Sequence, residues 1–382
     1  MTMKRLLGLL GTLGMFGALA IAPAQAQTEV VLHRFTNAAG DGPFGGVIRD
    51  SKGNLYGTTF AGGSPRKTNG LVYKLDKAGR ETVLYNFTAT AGGTNPEAGV
   101  IRDSAGNLYG TAVLGGAADA GVVYKVDTAG KHTVLYTFTG GADGNDPFAG
   151  VIRDPAGNLY GTTFAGGAPG VGVVYKLDTA GQETVLYTFT GGADGGSPYA
   201  GVIRDSKGNL YGTASNGGAG SGVVYELSTT GEEQVLYSFT GGADGARPAA
   251  GVIRDPAGNL YGTTVAGGTA NAGVVYKLDP AGNQTVLYTF TGGADGGEPH
   301  AGVISDAAGN LYGTTFGGGA ANAGVVFKLD TAGKETVLHS FTGGADGGHP
   351  YAGVILDPAG NLYGTAVNGG KRNWGVVFEI KP

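Results

Sequence analysis

The chain has 382 residues, a formal charge of −5 and no cysteine, which excludes disulfides and thiolate metal sites. Its 25 basic residues are outnumbered by 30 acids and form no long run, which argues against a nucleic-acid partner, whose phosphates demand clustered Lys and Arg. The 78 glycines far exceed the usual ~7%, but they recur periodically at turns and strand ends, a sign of tight loops rather than disorder.

The chain opens with Lys4 and Arg5, an apolar run from Leu6 to Ile21, then Pro23 and Ala24-Gln25-Ala26. This pattern predicts a secretory signal peptide over residues 1–26, cleaved before Gln27. A spanning helix needs about 20 apolar residues; this run is shorter and is broken by Gly8, Gly11, Gly14 and Gly17. Cleavage takes the formal charge from −5 to −7, since residues 1–26 contain no acid. No hydrophobic tail follows Trp374, so the expected product is a secreted or periplasmic protein with no membrane span after cleavage and no lipid-anchored cysteine.

Beyond residue 26 the sequence is periodic. Gly-Asn-Leu-Tyr-Gly-Thr occurs seven times, with Tyr56, Tyr109, Tyr160, Tyr211, Tyr261, Tyr312 and Tyr363 in its fourth place, at steps of 50 to 53 residues. A period of that length signals a β-propeller or similar array. In the third copy Ala149–Asp154 reads as a short apolar strand, followed by the turn Asp154-Pro155-Ala156-Gly157-Asn158. Leu159–Ala165, Val173–Leu177 and Thr184–Phe189 read as three more strands, separated by a glycine-rich loop and the turn Asp178–Gly181. Alternation in the last of these places Val185, Tyr187 and Phe189 on one face and Leu186 on the other.

Four strands per copy predict an all-β fold, a seven-bladed β-propeller occupying residues 27–382. Glu29–Phe35 matches the fourth strand of a copy, and Gly375–Ile380 matches the third. The amino-terminal strand is therefore expected to complete the last blade and remove an exposed edge.

These units, of the form G-V-V-Y-K-L-D-x-x-G-x-E-T-V-L-Y-x-F-T-G-G-A-D-G-x-x-P-x-A-G-V-I-x-D-x-x-G-N-L-Y-G-T-T, resemble the GloVer tandem repeat of bacterial exported "choice-of-anchor" proteins across residues 28–382. The resemblance implies an extracytoplasmic repeat protein without defined catalytic residues. Members often carry a carboxy-terminal surface anchor, a feature not matched after Trp374.

In a propeller the loops between fourth and first strands, and between second and third, open on one face. The Asp-x-x-Gly turns lie on the other. The turn face is nearly uniform, and Asp50, Asp103, Asp154, Asp205, Asp255, Asp306 and Asp357 read as turn-capping acids. On the opposite face, the position after each proline varies between almost copied neighbours: Phe44, Glu97, Phe148, Tyr199, Ala249, His300 and Tyr351. Aromatic, acidic and imidazole groups around a channel mouth suit a ligand pocket; drift of exposed loop residues is the competing explanation.

A second candidate lies where the ring closes: Arg66 and Lys67 in one loop, and Lys371, Arg372 and the only tryptophan, Trp374, in another. Stacking and positive charge on an acidic protein suit an anionic or sugar-containing polymer, although Trp374 could equally cap the last blade. The Gly-Gly-Ala-Asp-Gly loops invite a calcium reading at Asp143, Asp194, Asp244, Asp295 and Asp346. Calcium wants six to eight oxygens, roughly the output of several carboxylates, so a turn role is favoured and no cofactor is expected. Arg49, Arg102, Arg153, Arg204 and Arg254 form a ladder with gaps at Ser305 and Leu356, which suits pairing to a neighbouring blade's Asp better than a closed anion ring. No H-E-x-x-H or G-x-S-x-G motif occurs; His300 and His349, on the varied face near Glu298, could serve as acid or base.

The expected function is a monomeric binding module for carbohydrate or another envelope polymer. A structural or adhesive surface repeat protein, and a lyase or hydrolase with its site in the channel mouth, are the alternatives.

Overall fold

The computed structural model describes residues 27–63, 69–88 and 90–381. The predicted signal peptide lies outside the described residues, as do Arg66 and Lys67. Seven four-stranded antiparallel sheets form a ring, a seven-bladed β-propeller. Blade 3 comprises Ile152–Arg153, Leu159–Thr163, Val173–Leu177 and Glu183–Thr188. Blade 7 takes Thr28–Arg34 as its outer strand, antiparallel to Val376–Lys381, so the expected closure is present. No helix among the described residues is long and apolar enough to cross a membrane.

The innermost strands are shorter than the apolar run Ala149–Asp154 predicted. Only Ile152 and Arg153 pair within the sheet. The Ala149 carbonyl instead accepts the Thr111 hydroxyl of the preceding blade at 2.8 Å. A second correction concerns the outer strand. Leu186, Tyr187 and Phe189 all pack into the cluster between blades 3 and 4, while Val235, the blade 4 counterpart of Val185, enters that cluster from the other side. A bulge between Val174 and Tyr175 breaks the two-residue alternation.

Every letter of the repeated hexapeptide has a physical reason. Asn158 donates its N–H to Asp154 Oδ1 at 2.9 Å and its side-chain amide to Oδ2 at 2.8 Å. Tyr160 donates its hydroxyl to the same Oδ2 at 3.1 Å. Burial pushes the Asp154 carboxyl up, but these donors and Gly157 outweigh it and hold the group below the usual carboxylate range. Leu159 is buried in the core. Gly161 lies under Tyr175: a Cβ there would stand 2.5 Å from the Tyr175 hydroxyl oxygen. Thr162 donates to the Ala200 carbonyl of the next blade at 2.9 Å. The same threonine bond recurs around the ring and returns to its start where Thr365 donates to the Gly45 carbonyl at 3.1 Å.

The arginine ladder also joins blades. Arg204 lies 6.0 Å above the Tyr160 ring of the preceding blade, and Arg49 lies 5.5 Å above Tyr363 and 3.7 Å from Asp357. At the gaps a lysine of the tyrosine's own blade covers the ring, Lys277 over Tyr261 and Lys328 over Tyr312, as Lys125 does over Tyr109 beside Arg153.

Two predictions arise from this packing. The hydroxyls of Tyr73, Tyr124, Tyr175, Tyr225 and Tyr276 are buried without a protein partner, and Phe327 and Phe378 occupy the equivalent places in blades 6 and 7. Tyr175→Phe should therefore raise stability by about 1 kcal/mol, the cost of an unpaired buried hydroxyl. Urea unfolding checks this; a loss of similar size would show that the hydroxyl is bonded.

The second concerns pH. Burial, reinforced by a neighbouring aspartate (Asp143, Asp194 and Asp295), pushes Glu183, Glu233 and Glu335 up to about 7; burial and the Asp346 charge do the same to Glu29. Blade 5 has Gln284 here, and its amide donates to the Asp244 carbonyl at 3.1 Å. The raised value means that the folded state disfavours the charged form. The site costs nothing while the carboxyl is protonated, below about 4.5, and costs progressively more as pH rises to about 7. The capping aspartates have the opposite sign and weaken the fold only below their ordinary value of 3.8. His132 and His300, which burial pushes down to about 4, act in the opposite direction and lose stability as pH falls below 6.5. The four glutamates outnumber them, so Tm should be higher near pH 5 than at pH 8, and replacing all four glutamates by Gln should abolish or reverse the difference. An unchanged slope in that variant would assign the pH dependence elsewhere.

Candidate functional site at the channel mouth

In each blade the loop entering the innermost strand bridges the second residue beyond the second strand: Asn145 pairs with Ala165, and Ala246 with Ala266. These two loops form one face of the ring. The residue before each proline, namely Asn95, Asp146, Ser197, Arg247, Glu298 and His349, has φ between 53° and 59°, and Gly42 has 62°. Left-handed backbone is costly for side chains other than Gly, Asn and Asp. It is held here from two sides. The Arg247 N–H donates to the Ser221 carbonyl of the preceding blade at 2.9 Å, and its own carbonyl accepts the Val265 N–H at 3.1 Å.

The turn after each proline then sends the varied side chains toward one another. Tyr351 donates its hydroxyl to that of Tyr199 at 2.9 Å, and Tyr199 donates to Glu97 Oε2 at 3.2 Å. These residues belong to blades 7, 4 and 2, so the chain of bonds crosses the channel. Phe148 stacks on Tyr199 at 4.9 Å and His300 on Tyr351 at 4.6 Å, while Phe44 meets Tyr351 edge-on at 5.3 Å. Six of the seven varied residues thus form a half-buried plug.

Ala249 is the exception. On the neighbouring blade the residue after the second strand is Ser215, where blades 1, 3 and 6 carry Phe60, Phe164 and Phe316. Two small side chains line an open recess together with Phe164, Tyr199, Asn216, Arg247, His300 and Tyr351.

Burial sets the electrostatics of the plug. It pushes Glu97 up, against the lowering effect of the Tyr199 hydrogen bond. Burial, and then the Arg247 charge, push His300 down to about 4, so its imidazole is neutral at neutral pH. Tyr199 lies well above the ordinary phenol range through burial, its bond with Tyr351 and the charge of Glu97.

The seam candidates fall differently. Trp374 is half-buried against a cluster containing Leu32 and Ile355, and its carbonyl accepts the Gly42 N–H at 3.2 Å. Arg372 lies 5.5 Å from its ring, and Lys371 and Arg372 are exposed. In the Gly-Gly-Ala-Asp-Gly loops the carboxylates accept turn donors: Asp143 takes the Thr139 N–H at 2.8 Å, the Thr139 hydroxyl at 2.5 Å and the Tyr136 hydroxyl at 3.0 Å. The sequence reading missed Arg247, Ser215 and Asn216. Its available signal was the variation just before each proline and just after the second strand.

The profile of the Gloeobacter/Verrucomicrobia repeat matches residues 17–221 and 202–382. No curated protein sequence matches the chain. Among solved structures, the extracellular domain of a proposed one-component system from B. thetaiotaomicron is similar at 10% identity and a TM-score of 0.52, over 87% of this chain and 37% of that one. A proposed 6-phosphogluconolactonase from Bacteroides uniformis is similar at 16% identity and 0.50, over 78% and 84%. A puromycin hydrolase follows at 14% identity and 0.51, over 86% and 50%. At such identities these likenesses establish the propeller alone. Seven copies of one unit, closed into a ring and matched along nearly the whole sequence, place this chain in the Gloeobacter/Verrucomicrobia repeat family.

Proposed function

We propose that the protein is an exported binding module whose ligand, a carbohydrate or other envelope polymer, docks at the channel mouth. One observation carries this reading. Residues that vary between otherwise copied blades converge from opposite sides of the ring into a single aromatic and hydrogen-bonding surface with one recess. The ring alone gathers these positions; drift would not be expected to join Tyr351, Tyr199 and Glu97 in one chain of hydrogen bonds or to stack Phe148 and His300 on its tyrosines. Rings supply stacking area, and the Tyr hydroxyls, Asn216 and Ser215 supply polar handles, the composition of a ligand pocket. Arg372 and Trp374 on the seam extend the surface for a polymer longer than the recess. Tyr199→Ala should weaken polysaccharide binding at least tenfold in calorimetry while the ring stays folded; unchanged affinity would remove the mouth from the account.

A second reading, acid–base chemistry in the mouth, has one observation in its favour. The Tyr351–Tyr199–Glu97 chain ends on a carboxyl with a raised proton affinity, which suits a general acid. Turnover of a polysaccharide that survives Glu97→Gln would remove that site.

A further inference from the structure

Arg247 occupies a position for which an arginine is a poor choice. Its φ is 57°, and Gly42 fills the equivalent place in blade 1. Substituting glycine there would relieve the backbone, and only the side chain distinguishes the two. That side chain is exposed and makes no ion pair among the described residues. It lines the recess together with Phe164, Tyr199 and Tyr351, and its charge is felt there by both His300 and Tyr351. His300 contributes no second charge. The recess lining therefore offers one cation and no carboxylate, beside stacking rings and hydrogen-bonding groups, with Glu97 bonded to Tyr199 outside that lining.

We propose that the recess between blades 4 and 5 takes a sugar bearing a carboxylate, as in a uronic-acid polysaccharide, with Arg247 holding the acid and Tyr199, Tyr351 and Phe164 holding the ring. Arginine meets a carboxylate with two parallel N–H bonds, and a single cation matches a single negative charge. Ser215 and Asn216 are placed at the same rim to take sugar hydroxyls. This assignment rests on the binding reading of the mouth and adds the chemical class of the ligand.

The test uses residues 27–382 and three probes: a uronic-acid hexasaccharide, the corresponding neutral hexose hexamer, and a hexapeptide with a free carboxyl terminus. The acidic sugar should bind most tightly, with affinity falling as salt rises. Arg247→Gly should raise Tm and yet weaken the acidic sugar at least tenfold, leaving neutral-sugar binding little changed. A folded, more stable variant separates loss of the ligand from loss of the fold. Equal affinity for both sugars, undiminished in Arg247→Gly, would overturn the acid assignment and leave the mouth as a sugar site. Binding of the peptide in preference to either sugar would overturn it in favour of a protein partner. Failure of all three probes would remove the mouth reading together with it.

Discussion

Removing residues 27–35 is expected to abolish the cooperative unfolding transition of the ring. Thr28–Arg34 supplies the outer strand of blade 7, and Phe35 is fully buried in the cluster joining blades 7 and 1. Loss of a buried phenylalanine alone costs about 3–5 kcal/mol, against a total stability of roughly 5–15 kcal/mol for a folded domain. The deletion also exposes Val376–Lys381 as a free edge, a template for aggregation. Circular dichroism melting and size-exclusion chromatography of residues 36–382 should show a lost or strongly lowered transition and oligomers. A synthetic peptide of residues 27–35 should restore part of it. An unchanged Tm would mean that ring closure contributes little.

The second large effect is expected from Gly161→Ala. The new Cβ would meet the Tyr175 hydroxyl oxygen at 2.5 Å and its ring carbon at 2.7 Å, and Tyr175 is fully buried with no room to withdraw. Overpacking of this kind costs about 1–3 kcal/mol and occasionally more. The same contact recurs under Tyr73, Tyr124, Tyr225 and Tyr276, so the position demands glycine in every blade. Tyr175→Leu should be harmful by itself but should rescue Gly161→Ala, giving a strongly non-additive pair in a double-mutant cycle. Additive losses would show that the clash is relieved elsewhere.

Most of the fold is legible in the sequence because it is written seven times. The hexapeptide, the turn acids and the mismatch between the first and last strands suffice for blade number and closure. What periodicity does not reveal is how blades touch. The ladder arginines look alike whether they face a channel or a neighbour; their position over the preceding blade's tyrosines depends on blade packing. The bulge beside Tyr175 likewise leaves no mark in the alternation of Val185, Leu186 and Tyr187.

The site was legible in part. Variation after the proline marked Phe44, Glu97, Phe148, Tyr199, His300 and Tyr351, which the ring then gathers into one plug. The recess itself arises from two small residues 34 positions apart, Ser215 and Ala249, which only the propeller brings together. Trp374 stood out by its rarity, yet it packs partly buried against the blade 7–1 junction.

Thermal unfolding of residues 27–382 with and without acidic and neutral polysaccharides, repeated on a Tyr199→Ala/Tyr351→Ala variant, reads out ligand binding at the channel mouth. A ligand at about 100 times its dissociation constant stabilises by ~2.7 kcal/mol. A ligand site at the channel mouth should give a clear rise in Tm for the wild type with at least one polysaccharide, and none for the variant. A rise that persists in the variant, or no rise with any polysaccharide, would contradict a ligand site at the channel mouth.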